Sequence, residues 1–288
     1  MRPWKGIAVA KCSYAQNCED VLLARIFPES SGFYIDIGAA DPVELSVTKY
    51  FYDLGWSGLN VEPLDGYFDK LVAQRSRDQN LRAAISDRPG TLTLYVAPTH
   101  PGWSTTDVTV AQNMRTQGIA VHPTEVPAVT LAEVCERYVQ REITFLKIDV
   151  EGAEKSVLAS GDFRRWRPRV VLLEATEQGK TTPNHQSWEH YLLDADYSFA
   201  TFDGLNRYYV RQEDAEELIP PLQVPVNVFD DWYPYEYMKQ IVALQAEVAD
   251  QRRTAVAYAN QVSQQRQTID SIRARLEDLK RFLRAGIV

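Results

Sequence analysis

The sequence predicts an α/β protein with a domain over residues 1–232, followed by a coiled-coil helix over 236–285. Three observations carry that prediction. A short apolar strand, Phe33–Ile37, runs into the small-residue turn Gly38-Ala-Ala40, and a second apolar run, Gly58–Val61, ends in Glu62. Two later apolar runs, Ile143–Asp149 and Val170–Glu174, also finish in carboxylates, which puts three acids on one rim of a parallel sheet. From Ile241 onward, apolar residues recur at alternating spacings of three and four through six heptads.

The remaining elements follow in order. Residues 13–27 read as a capped helix, and Pro42 stands where the first turn of another would begin. A helix is expected from Leu64 to Ser76, then a third strand over Leu81–Ile85, stopped by Ser86-Asp-Arg-Pro-Gly90. Thr91–Val96 alternates as an added antiparallel strand, and Ala97–Val126 is a long, poorly periodic connection of the kind that forms binding loops. Helices are expected over Leu131–Arg141, after Val150-Glu-Gly-Ala-Glu154, and over Gln186–Ala195. Tyr197–Phe202 and Asn206–Arg211 flank Asp203-Gly204, a hairpin signal.

Composition bounds the function. With 288 residues, 45% hydrophobic and 24% charged, the chain can hold one such domain and an appendage. A net charge of −8 argues against nucleic-acid binding, which needs a basic field. No stretch approaches the ~18 apolar residues of a membrane span, and the N-terminal apolar run is too short for a signal peptide. Cys12, Cys18 and Cys135 show no CxxC spacing, and the four histidines form no zinc pattern. A cytoplasmic, reduced protein without structural metal is therefore expected.

The segment from Phe33 to Glu62 describes a nucleotide-type site. The turn amides would face a polar group, and Glu62 would take ribose hydroxyls. A single glycine fails the dinucleotide fingerprint, and Ala39, Ala40 and Asp41 would hinder a pyrophosphate. S-adenosylmethionine has no phosphates, and Asp36 and Asp41 would face its ammonium group. In the tail, β-branched residues at four a positions lean towards a parallel dimer, with a trimer as the alternative; Gln251 and Gln265 are polar d positions. A homo-oligomer is expected, or else pairing with an acidic partner or an anionic membrane surface.

These residues resemble the FkbM-type S-adenosylmethionine-dependent methyltransferases. The matching segments are Ser13-Tyr-Ala-Gln-Asn-Cys-Glu-Asp20, Tyr34–Pro42, Val61-Glu-Pro63 and Leu146-Lys-Ile-Asp-Val-Glu-Gly-Ala-Glu154. Phe202–Val210 and Pro225–Asp231 look like the subgroup found with bacterial surface-glycan enzymes. Many members carry glycine where this chain has Pro42, a departure at the turn. The resemblance implies a Rossmann-like class I methyltransferase sheet of seven strands, the last antiparallel, and O-methylation of a sugar hydroxyl. It places the cofactor on Gly38 and Ala39, with Asp36 or Asp41 near the ammonium, Glu62 on the ribose and Pro63 in the same set. Ser86 and Asp87 would meet the adenine edge, and Gln16, Glu19 and Asp20 would close over the methionine end. The acceptor would be a glycan or glycolipid, and the enzyme would sit in the cytoplasm, peripheral to the inner membrane through a glycan-assembly complex.

Methyl transfer to a hydroxyl needs the oxygen held in line and its proton removed. Asp149 and Glu174, ending neighbouring strands, are candidates to hold Mg²⁺. His185 and Glu151 are the candidate bases, with Asp149 also counted as catalytic. Trp103, Ser104 and Thr105, an aromatic beside hydroxyls, suit a sugar face. The competing readings are a non-catalytic coiled-coil assembly module on a degenerate methyltransferase fold and a nucleotide-dependent oxidoreductase, the latter disfavoured by the missing glycines.

Overall fold

The computed structural model describes residues 11–28 and 31–285. The chain divides into two units, Met1–Tyr235 and Glu236–Val288.

The first unit is organised on a mixed sheet of seven strands: β1 (Phe33–Ile37), β2 (Ser57–Val61), β3 (Gln79–Leu81), β4 (Phe145–Ile148), β5 (Val170–Glu174), β6 (Tyr197–Phe202) and β7 (Asn206–Arg211). Their order in space is β3-β2-β1-β4-β5-β7-β6. β1 to β5 are parallel, whereas β7 runs antiparallel to both β5 and β6. The central strands read as largely apolar runs, interrupted by Asp36, Asn60 and Lys147, because both of their faces are covered. Ile35, Ile37, Leu146, Ile148, Val171 and Leu173 pack into one core; Tyr34, Phe145, Val170 and Leu172 pack into another with Phe51 and Trp56. That split follows the two-residue period of a strand.

Register fixes where the functional residues emerge. Ile37 lies opposite Val61 on one side and Ile148 on the other, and Ile148 lies opposite Leu173. Gly38, Glu62, Asp149 and Glu174 therefore stand together along one edge of the sheet.

Several expectations are corrected here. The strand expected over Leu81–Ile85 is split: β3 ends at Leu81, and Ala84–Ile85 joins a second sheet. That sheet also holds Gly90–Val96 and His122–Val129, which pair antiparallel. The connection 97–126 thus contains a 3-10 turn (Pro101–Trp103), a helix (Val108–Thr116) and most of a strand. Asp107 Oδ1 caps that helix by accepting from the amides of Thr109 and Val110. Pro123 and Pro127 break the alternation that would have marked the strand. The helix expected over 13–27 shortens to Glu19–Ile26, because Lys11–Ser13 pairs with Trp232–Pro234. The helix expected over Gln186–Ala195 shrinks to His190–Leu193 after a 3-10 turn. Ala215–Leu222 is helical despite Pro220 and Pro221.

No helix begins at Pro42. Asp41 Oδ1 instead accepts from the amides of Val43 and Glu44, and the next helix is Lys49–Asp53. The intervening loop is held from beneath by Arg75, which is 1% exposed. Its guanidinium donates to Pro42 O at 2.6 and 3.1 Å, to Ser46 Oγ at 3.0 Å and to Tyr34 OH at 3.2 Å. Thr48 Oγ1 then donates to Asp36 Oδ2 at 3.0 Å, joining the loop to β1.

The helix Tyr235–Ala285 runs through the described part of the second unit, and its 51 residues extend ~75 Å at about 1.5 Å per residue. Ile241, Leu244, Val248, Ile269, Ile272, Leu276, Leu279 and Leu283 are each 43% to 60% exposed, a bare apolar seam.

Candidate active site

A cavity of about 1100 Å³ opens along the edge where β1, β2, β4 and β5 end. Gly38, Ala39, Asp41, Glu62 and Pro63 line one side; Asp149, Glu151 and Glu174 line another.

Gly38 adopts φ +75°, and a Cβ there would lie 1.9 Å from Asp149 O, so no other residue fits between β1 and β4. The turn amides face inward. Gly38 N and Ala39 N donate to Val61 O, and Ala40 N donates to Glu62 Oε2. They do not form an anion nest, contrary to the expectation that they face the ligand. The second oxygen of Glu62 accepts from Leu64 N at 2.8 Å, so this carboxylate is fixed at the cavity wall. Burial pushes its pKa up to about 7.

Beyond the turn, Gln16 and Glu19 reach the cavity from the N-terminal segment. Glu19 Oε1 accepts from Asn206 Nδ2 at 2.7 Å, and burial raises its pKa to about 7. Asp20 is not brought to the cavity: it is fully buried, accepting from Ser13 Oγ at 2.6 Å and Tyr14 N at 2.7 Å. Asp36 is likewise withdrawn, 1% exposed and bound by Lys147 at 3.2 Å. Asp41 stays at the wall, with Oδ2 paired to Lys70 at 2.8 Å. Ser86 and Asp87 line a separate depression, because the break after Leu81 carries them away from the main sheet. Ala83, Ala84, Ile85 and Leu94 supply an apolar wall instead.

The chemistry-bearing cluster is Asp149, Glu151 and Glu174, each with a carboxylate oxygen within 4.8 Å of the others. Asp149 follows β4 directly, its amide donating to Ile37 O. The chain then turns through Glu151 and Gly152, both at positive φ, before the helix Glu154–Ala159. Thr105 Oγ1 donates to Glu151 O at 2.6 Å and holds that turn. Burial, then the charge of Asp149, pushes the pKa of both Glu151 and Glu174 up. Lys147 sits at the floor, 3.4 Å from Asp149 and 3.2 Å from Asp36, and donates to Gly38 O at 2.8 Å. Burial opposes its charge, but Asp36 and then Asp149 raise its pKa.

His185 does not line the cavity. It begins the 3-10 turn after β5, packs edge-on to Trp188 at 6.4 Å, and burial with the nearby Arg207 lowers its pKa. Its Nδ1 is buried without a hydrogen-bond partner among the described residues. Trp103 and Ser104 do line the cavity, with His100 stacked on Trp103 at 4.8 Å; Thr105 lies buried behind them. Sequence reasoning missed Lys147, Gln178, His100 and Asn206. Lys147 and Asn206 fall inside segments that carry the family resemblance, and Lys147 also stands out as a charge inside an apolar strand.

The fold and site define a mixed α/β protein with an acid-rimmed crevice at the carboxyl ends of parallel strands. The chain belongs to the methyltransferase FkbM domain family, whose model matches residues 36–199, and it is therefore a methyltransferase. Membership implies S-adenosylmethionine as the methyl donor. No curated protein matches the chain. Among solved structures, one described as the crystal structure of a fibrillarin/Nop5p complex is similar at 11% identity, covering 66% of this chain and 80% of that one, with a TM-score of 0.35. A likeness that distant adds nothing to the assignment.

Proposed function

We propose that the chain is an O-methyltransferase acting on a sugar hydroxyl of a bacterial surface polysaccharide or glycolipid, and that it works as a coiled-coil homo-oligomer, preferentially a dimer. The observation that carries the enzymatic reading is the trio Asp149, Glu151 and Glu174 in the same cavity as the Gly38 turn and Glu62. The strand order, with β7 antiparallel between β5 and β6, supports a Rossmann-like class I arrangement.

Pockets for a single drug-sized ligand run ~300–1,000 Å³, and at about 1100 Å³ this cavity stands just above that range, a size that suits donor and acceptor side by side. Gly38, Ala39, Glu62 and the apolar wall of Ala83 and Ala84 form the donor half, with Gln16 and Glu19 at the methionine end. His100, Trp103, Ser104, Gln178, Thr181 and Thr182 form the acceptor half, an aromatic face among hydroxyls and an amide. S-adenosylmethionine, when bound, supplies an electrophilic methyl group on a sulfonium. Asp149 takes the proton of the acceptor hydroxyl. Lys147 holds Asp149 in place and ties it to the donor turn through Gly38 O.

The cluster fits Mg²⁺ in the type of its donors, three hard carboxylate oxygens close together, two of them raised in pKa by burial and then by the charge of Asp149. Asp149 and Glu174 would hold the ion with Glu151 beside them, and it would acidify the acceptor hydroxyl. On this reading, a chelator lowers the rate at least about ten-fold and added Mg²⁺ restores it. An unchanged rate in chelator leaves the proton to the carboxylates alone.

The coiled-coil reading rests on the bare seam of Tyr235–Ala285. Light scattering at micromolar concentration is expected to give twice the 32.8 kDa chain mass, and Ile269→Lys with Ile272→Lys to give the monomer. A wild-type monomer would rule out self-association. Among the described residues, no helix is long and apolar enough to cross a membrane. The proposal places the enzyme in the cytoplasm, peripheral to the inner membrane through a glycan-assembly complex. Incubation of a sugar panel with the methyl donor, read by mass spectrometry, tests the whole proposal; no mass gain of one methyl on any glycan would remove the sugar acceptor.

A further inference from the structure

The Gln178 side chain joins parts of the cavity wall that are remote in sequence. Its Nε2 donates to Glu151 Oε2 at 2.8 Å and to Trp103 O at 3.1 Å. A carboxamide nitrogen carries two protons, so these bonds use its full donor capacity. All three residues line the same cavity, and each comes from a different connection. Trp103 closes the 3-10 turn Pro101–Trp103, which is anchored at its base where Tyr95 and Thr105 exchange backbone hydrogen bonds. Gln178 belongs to the loop after β5, folded back on itself by Glu177 N to Thr182 O and Lys180 N to Glu177 O. Glu151 occupies its left-handed turn after β4.

The two acceptors on either side of the amide explain why it is an amide. A carboxylate at position 178 would have almost the same shape, yet it would turn an acceptor towards the Glu151 carboxylate and the Trp103 carbonyl. An aliphatic side chain would leave both without their donor.

We propose that Gln178 is a positioning residue that latches the Trp103 turn to the loop after β5 and aims Glu151 into the carboxylate cluster, so that the acceptor is held in a closed space. The role of the acceptor rests on the methyltransferase reading above, whereas the latch is a property of the folded chain alone. Gln178 lies half-buried on a loop, so its replacement spares the core.

The test compares wild type with Gln178→Glu and Gln178→Leu in the full chain. Hydrogen exchange followed by mass spectrometry reads the amides of Trp103, Ser104 and Thr105, which are bonded to His100 O, Pro101 O and Tyr95 O. Exchange there is expected to quicken about five-fold in both variants, the scale of one lost hydrogen bond to a backbone carbonyl, with the sheet amides unchanged. In methyl transfer to the best acceptor of the sugar panel, KM for that acceptor rises about ten-fold and kcat falls, while calorimetry finds S-adenosylmethionine bound within about two-fold of wild type. Unchanged exchange over residues 103–105 in both variants overturns the latch. So does faster exchange with acceptor KM and kcat both at wild-type values. If wild type binds no S-adenosylmethionine, the methyltransferase site fails instead, and the exchange experiment still judges Gln178.

Discussion

Replacing Asp149 with alanine is expected to lower methyl transfer about 10³-fold, the middle of the range for removing a positioned proton acceptor. The fold should survive. The Asp149 side chain is 38% exposed, so its loss leaves no buried void. Lys147 keeps Asp36 at 3.2 Å and Gly38 O at 2.8 Å, so its buried ammonium is not stranded. Turnover with labelled donor and a melting curve on the same preparation make the measurement. A variant that melts like wild type and keeps activity within a few-fold would take Asp149 out of the mechanism. The same profile with Asp149→Asn would separate loss of charge from loss of volume.

The second large effect is at Gly38. In Gly38→Ala the new methyl group would stand 1.9 Å from Asp149 O and 3.0 Å from Asp149 C, both backbone atoms at the end of a buried strand. Neither can step aside as a side-chain tip could. The residue also sits at φ +75°, where alanine is strained. Overpacking and strain together are expected to cost about 3 kcal/mol or more, a fall in melting temperature of roughly 6–12 °C for a domain of this size. Binding of S-adenosylmethionine should disappear from calorimetry, since the turn cannot open without moving Asp149. Gly66→Ala is the matched control. Its Cβ would meet nothing within 4 Å, and it lies inside the helix Asp65–Gln74, where alanine is favoured by up to about 1 kcal/mol. Donor affinity equal to wild type in Gly38→Ala would move the donor site off this turn.

How much of this could be read from residues alone depends on the distance over which each feature acts. The sheet rim was legible because β1, β2, β4 and β5 are buried on both faces, and such strands show as apolar runs whose terminal acids stand out. The parallel register then brings Glu62, Asp149 and Glu174 to one edge without further information. The hairpin β6–β7 was equally plain from Asp203-Gly204. Where the chain leaves the sheet, local pattern stops being informative. Ser86 and Asp87 follow an apolar run that looks continuous, but the run changes sheets after Leu81. His185 lies soon after β5 in sequence, yet it faces Trp188 and Arg207 rather than the acids. Asp20 and Asp36 carry the right charge in the right segments, and both are consumed by internal partners: Ser13 and Tyr14 for one, Lys147 and Thr48 for the other. Gln178 and His100 sit in connections with no periodicity, where nothing but the folded geometry distinguishes them from their neighbours.

Arg75 is more than 25 positions downstream of the loop it supports, yet it reaches Pro42 O, Ser46 Oγ and, at 3.4 Å, Thr48 O. The donor-side loop and this arginine are therefore a single heritable module. A chimaera whose crossover falls between residues 48 and 75 would pair one parent's loop with the other parent's support. Loop grafting intended to alter ligand choice has to carry Arg75 along with the grafted segment.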